Sequence, residues 1–331
     1  MRGQIRITAA ILTVLLLILP LCGCSEKPME KAVGTCAGYD VLYEELRYVT
    51  LSYRDAFEET YGEGIWDDPV TAEKYRAELE ETVLRVLRNN YAVLYACSQY
   101  MPDVTPDNKT IKEAVDSQIA AAVKEYGGEE AFLQAMDELH MTEHFVRFTL
   151  AVGELENELL YVLTQDLGLI IYETEEFADW MANGNVIHVQ HVFIRNDKGD
   201  DPEANRALAE STRQQLAEGK DIGEVINSRV NEDLSNTAPY FMVRGVYAEA
   251  LETEAVALQN AGDVSEVVEV ENGFYIMERM EDDPKELLTK TPTLLKSYQW
   301  AELEKKIEGY RDSVCVERNE YGKSLDLVTL S

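Results

Sequence analysis

His188-Val-Gln-His-Val-Phe-Ile194 opens, and Gly262-Asp-Val-Ser-Glu-Val-Val268 with Asn272-Gly-Phe-Tyr-Ile-Met-Glu278 closes, the stretch that decides the fold of this 331-residue chain. The first and last segments are short and rich in β-branched and aromatic residues, which argues strands. Between them Ala204 to Gly219 and Ile222 to Val230 read as helices. A single compact run of strands and helices results, bounded upstream by the turn signal Asn183-Gly184.

Upstream of that turn the period changes to helical. Leu42, Leu46, Val49, Tyr53 and Phe57 recur at steps of three and four, as do Leu79, Val83, Leu87, Tyr91 and Leu94. Thr110 and Glu113 have the spacing of a capping box for a third helix, carrying Ile111, Val115 and Ile119. Phe132, Met136 and Leu139 mark a fourth, and Phe145 to Val162 a fifth with 3-4-3-4-3 spacing. Val33 to Val41 predicts a strand and turn before the first helix. Downstream, Trp300, Leu303, Ile307 and Tyr310 share one helical face, and Ser313-Val-Cys-Val-Glu317 predicts a last strand. The class is α+β, with long helices flanking one small sheet.

Arg2 and Arg6 precede an apolar run from Ala9 to Leu21 that ends in Leu21-Cys-Gly-Cys24. That is a basic region, a short apolar core and a small-residue cleavage site. Leu-x-Gly-Cys resembles a bacterial lipobox, which makes residues 1–23 a lipoprotein signal peptide, Cys24 the lipidated residue and 24–32 a tether. An ordinary signal peptide or an uncleaved anchor reads the same residues differently. The balance of 62 acidic against 30 basic residues, net charge −32, repels phosphate backbones and disfavours a nucleic-acid partner. Cys36, Cys97 and Cys315 have no metal-ligand spacing, and no HExxH or GxxxxGK[ST] motif is present, so neither a metal nor a cofactor is expected.

Across Val186 to Met280 the order and spacing of motifs resembles the parvulin-type peptidyl-prolyl isomerases. His191 takes the place of the family's first-strand His, and Asn231-Glu-Asp-Leu-Ser235 puts Asp233 at its acidic or thiol position. Gly273-Phe-Tyr-Ile-Met matches the last strand, with Tyr275 where the family has a second His. Arg244-Gly245 is the expected start of the helix before Leu258. The opening from Val33 to Val41 and the Tyr126 to Phe145 region resemble the chaperone domain of SurA- and PrsA-type extracytoplasmic foldases. The resemblance implies a helical chaperone domain over 33–182, a parvulin-like domain with a four-stranded antiparallel sheet over 183–283, and a C-terminal segment, 284–331, returning to the chaperone domain. It also implies that Cys36 and Cys315 become neighbours able to form a disulfide. A generic helical bundle explains the upstream periodicity equally well.

Prolyl isomerisation needs no proton transfer or covalent bond. It needs a pocket that grips the ring and favours a twisted amide, against a barrier of about 18–20 kcal/mol. The resemblance assigns His191, Asp233 and Tyr275 to the polar network and Met242, Tyr247, Leu251 and Val256 to the proline pocket. The glycine-rich loop of the family is replaced by Asn236-Thr-Ala-Pro-Tyr240, which predicts a reshaped pocket. Each residue also has a structural reading: His191 as a satisfied core His, Asp233 as a loop brace, and Tyr275, Leu251 and Val256 as core. The implied partners are unfolded secreted chains containing X-Pro, with a lipid anchor holding the protein at the outer face of a bacterial cytoplasmic membrane. A homodimer is left open. A non-catalytic chaperone is the alternative, and a solute-binding lipoprotein a remoter one that would show two α/β lobes.

Overall fold

A computed structural model of the chain describes residues 29–196, 201–227, 232–233 and 237–330. The leader, Cys24 and most of the tether lie outside the described residues, as does Asn236 of the altered loop. In chain order the elements are β1 (Ala32–Cys36), β2 (Tyr39–Leu42), α1 (Tyr43–Tyr61), α2 (Ala72–Tyr100), α3 (Lys109–Glu125), α4 (Glu129–Glu138) and α5 (Glu143–Tyr161). There follow α6 (Thr174–Trp180), β3 (Val186–Arg195), α7 (Pro202–Ala217), α8 (Ile222–Asn227), β4 (Tyr240–Val243) and α9 (Glu249–Ala257). The chain ends with β5 (Val268–Val270), β6 (Gly273–Arg279), α10 (Pro284–Arg311), β7 (Glu317–Arg318) and α11 (Glu320–Lys323). The class is α+β, and among the described residues no helix is long and apolar enough to cross a membrane. Two compact units result, one of residues 170–302 and one of 29–169 with 303–330.

In the helical unit, α2 packs against α1 and α5, and α3 against α5 and α4. The buried stripes are those of the sequence period: Leu79, Val83, Leu87 and Tyr91 on α2, and Phe145, Val152, Leu155 and Leu159 on α5. Thr142 caps α5 by accepting from the Phe145 amide at 3.0 Å. The expected capping box at Thr110 does not form. The helix starts two residues earlier, after Asn108, whose side-chain oxygen turns back to accept from the Thr105 amide instead.

A three-stranded sheet in this unit has the order β2-β1-β7, with β7 antiparallel to β1. This places Cys315 beside Cys36, but both are free thiols, so the expected disulfide is absent. Cys36 is buried on β1 whereas Cys315 is exposed, with its Sγ toward the Glu317 carboxylate at 3.9 Å. Burial, and then the adjacent Cys315, push the Cys36 thiol up to about 12, which keeps it protonated and unreactive.

The other unit is built on an antiparallel sheet of order β4-β3-β6-β5. Central β3 is buried on both faces, so its polar residues His188, Gln190 and His191 lie inside along with its apolar ones. On one face Val192, Ile194, Phe274 and Ile276 meet Ala209 and Leu216 of α7 and Ile222, Val225 and Ile226 of α8. On the other, Val189, Phe193, Tyr275 and Met277 meet Leu251 and Ala255 of α9. Gly273 starts β6 with φ +152°, and a Cβ there would lie 2.2 Å from the Ile194 carbonyl oxygen. Only glycine fits.

One helix boundary differs from expectation. Arg244-Gly245 does not begin α9, because Gly245 has φ +89° and belongs to a turn closed by the Val246 amide on the Val243 carbonyl. The Glu252 carboxylate holds that turn by accepting from the Gly245 and Tyr247 amides at 2.7 and 2.9 Å.

Candidate functional site

Strand register assembles the site. Phe193 stands opposite Tyr275 and His191 opposite Met277, so His191 and Tyr275 share the face covered by α9. Their rings meet edge-on, with centroids 5.1 Å apart and planes at 62°. The Tyr275 ring also lies 4.5 Å from that of Phe193. Asp233 reaches the same place from the long connection between α8 and β4. Its Oδ2 lies 3.1 Å from His191 Nε2. The three residues assigned to the polar network therefore converge.

A fourth member, Tyr240, is absent from the sequence expectation. It opens β4, and its hydroxyl lies 3.1 Å from His191 Nδ1, with the two rings nearly perpendicular at 5.5 Å. The strand it opens, Tyr240-Phe-Met-Val243, is only four residues long and shows no polar–apolar alternation to mark it in the sequence. Tyr240 in turn packs on Tyr247, centroids 6.1 Å apart.

These contacts fix the imidazole. A carboxylate can only accept, so Nε2–H donates to Asp233, which leaves Nδ1 to accept from the Tyr240 O–H. Burial pulls the His191 pKa below its ordinary value, and the opposing influence of Asp233 does not overcome it. Burial likewise raises the Tyr240 and Tyr275 phenols, with Asp233 adding in the same direction. The ring and both phenols are thus neutral at pH 7. Such a set offers hydrogen bonds and a dry apolar surround, but no strong nucleophile.

Access is one-sided. His191 is 2% exposed and Tyr275 8%, whereas the Asp233 side chain retains 19%. The cluster is sealed over the imidazole and opens at the carboxylate. Of the residues assigned to a proline pocket, Met242 (1% exposed) and Leu251 lie in the apolar core beneath the site and form its floor. Tyr247 is half-buried and packs on the same core. Val256 is not brought to the site: Leu251 and Ala255, four apart, face the sheet, and one further residue turns Val256 outward.

His188, the neighbour of this face on β3, points to the opposite side. Its ring stacks on Phe241 at 4.4 Å, and its Nδ1 donates to the Glu281 carbonyl at 2.6 Å. His144 lies in the helical unit, its Nδ1 against the buried Glu44 carboxylate.

No protein-family model and no curated protein matches the chain. Among solved structures, it is similar to the peptidylprolyl isomerase PrsA of Bacillus anthracis, at 14% identity and TM-score 0.37, over 69% of this chain and 96% of that one. It is also similar to the foldase protein PrsA of Streptococcus pneumoniae, at 13% identity and TM-score 0.36, over 79% and 96% respectively. A SurA-like chaperone of Campylobacter jejuni aligns at 12% identity and TM-score 0.27, over 76% and 96%.

Proposed function

We propose that this chain is an extracytoplasmic protein-folding factor, anchored through Cys24, whose sheet unit is a parvulin-type prolyl isomerase of reduced turnover. The observation that carries the reading is the convergence of His191, Asp233, Tyr240 and Tyr275 on the apolar α9-facing side of the sheet. Rotation about an X-Pro bond asks for a dry wall and a few hydrogen-bonding groups that favour the twisted amide, and this face has both. Unfolded secreted chains are the clients, and the uncatalysed step they face takes tens of seconds.

The reduced turnover follows from occupancy. Both His191 nitrogens are already engaged, by Asp233 and Tyr240, so the imidazole offers no free group to a client. Tyr275 carries the hydroxyl where the resembling family has a second imidazole. The same observation favours a second reading, a chaperone without isomerase activity that keeps the fold as a peptide-binding module.

Refolding of a protein whose slow phase is a prolyl isomerisation separates the two. The isomerase reading expects the full chain to accelerate that phase, and His191→Ala to lose the acceleration while still suppressing aggregation. Suppression of aggregation with the slow phase untouched by the unmutated chain leaves only the second reading.

A further inference from the structure

The segment that carries Asp233 is fastened to β3 by the residue before it. β4 pairs only with Val186 to Val189, so among the described residues the second half of β3 has no strand partner on that side. Glu232 fills the gap from the connection between α8 and β4. Its amide donates to the Phe193 carbonyl at 2.8 Å, and its Oε2 accepts from the Arg195 amide at 2.6 Å. One residue thus satisfies an acceptor and a donor that a longer β4 would have paired. Further along the same connection, the Gln190 side chain donates to the Thr237 carbonyl at 2.7 Å.

The grip of Glu232 reaches beyond the strand edge. It holds β3 at positions two and four residues past His191, and Asp233 is the next residue in the chain. A planar peptide unit of fixed length leaves the Asp233 backbone little room once its neighbour is held at two points. The Asp233 Oδ2 then lies 3.1 Å from His191 Nε2. Glu232 itself is exposed, so its carboxylate acts from outside the buried cluster. A carboxylate accepting from a backbone amide makes a charge-assisted bond, roughly twice as strong as a neutral one.

We propose that Glu232 is a positioning residue of the site: its two-point grip on β3 sets where the Asp233 carboxylate meets His191, and through that carboxylate sets the tautomer of the imidazole. The inference rests on the isomerase reading above for the use made of the imidazole, and deepens it by extending the site to the open rim of the sheet. The role is separable from folding. β3 is paired with β6 from Val189 to Arg195, so the sheet outlasts the loss of one exposed side chain.

The test uses the full chain with Glu232→Ala, which removes the side-chain bond, and Glu232→Gln, which keeps an uncharged oxygen to accept from the Arg195 amide. Circular dichroism and a urea midpoint confirm that each variant is folded. Imidazole nitrogen NMR reads His191 directly, and exchange NMR on an X-Pro peptide reads turnover on the same samples. Glu232→Ala is expected to move the His191 titration to lower pH, because Asp233 is the group that opposes burial there, and to weaken the preference for Nε2–H. The acceleration of exchange should fall by roughly tenfold, within the range for a displaced catalytic group. Glu232→Gln should recover most of both losses. A His191 signal identical in folded Glu232→Ala and the unmutated chain overturns the role. So does Glu232→Gln behaving like Glu232→Ala, since the charge and not the grip would then be what matters. A changed His191 signal, with no acceleration by the unmutated chain, supports the positioning role and overturns the isomerase reading instead.

Discussion

The informative residue is Tyr240, because its hydroxyl determines what His191 can do. Tyr240→Phe keeps the ring packing and removes the donor, leaving a buried imidazole nitrogen without a partner. The expected cost is about 1–3 kcal/mol, measurable as a shift in urea midpoint; an unchanged midpoint would show that the bond to Nδ1 contributes nothing. His191 carries a second prediction. Its pKa lies below the ordinary 6.5, so the folded chain binds fewer protons here than the unfolded chain does at mildly acidic pH. The stabilisation is therefore present above 6.5 and is lost as pH falls through that value. Imidazole nitrogen NMR should show a neutral Nε2–H ring at pH 7 that titrates only below 6.5. His191, Asp233 and Tyr275 could be grouped beforehand only through the resemblance to parvulins; strand register then brings His191 and Tyr275 onto one face. Tyr240 was not legible, because a loop whose family glycines are gone gives no hint that its last residue has become a strand.

At the scale of elements, periodicity revealed most of what exists. The stripes of α1, α2 and α5 could be read directly, since burial by a neighbouring element is what writes such patterns. What stayed hidden depends on contacts between residues that local pattern does not couple. The turn at Gly245 is held by Glu252 from within α9, so the helix starts later than the Arg244-Gly245 motif suggests. Val256 looked like a pocket residue by alignment, but helical phase directs it away. Gly273 is the element-scale test. Because a Cβ would collide with the Ile194 carbonyl at φ +152°, Gly273→Ala should destabilise the sheet unit by about 2 kcal/mol or more. Equilibrium unfolding measures this, and a neutral effect would mean that the β3–β6 pairing tolerates a shifted register.

For the whole molecule, two raised carboxylates of the helical unit and the lowered His191 of the sheet unit respond to acid in opposite senses. In the helical unit Glu45 is pushed up to about 7, by burial above all, although the Leu42 amide and the Tyr91 hydroxyl donate to it. Glu156 is also raised to about 7, by burial and then Glu304, with Arg311 opposing. A raised carboxylate binds its proton more tightly in the folded state, so stability is highest below the ordinary 4.5 and declines as pH rises toward 7. Each group contributes on the order of 3 kcal/mol to that slope. His191 runs the other way in the sheet unit. Glu45→Gln keeps an acceptor for Tyr91 and should flatten the pH dependence of the helical unit between pH 5 and 7.5; urea titrations with an unaltered slope would contradict the assignment. None of this was legible beforehand, since Glu44-Glu45 at a helix start reads as ordinary first-turn acidity. The account as a whole is tested most directly by exchange NMR on an X-Pro peptide mixed with the full chain. The expected result is cis–trans exchange faster than in buffer, slowed to the buffer rate by His191→Ala in a variant that remains folded. Exchange at the buffer rate with the unmutated chain, or acceleration that survives His191→Ala, would contradict it.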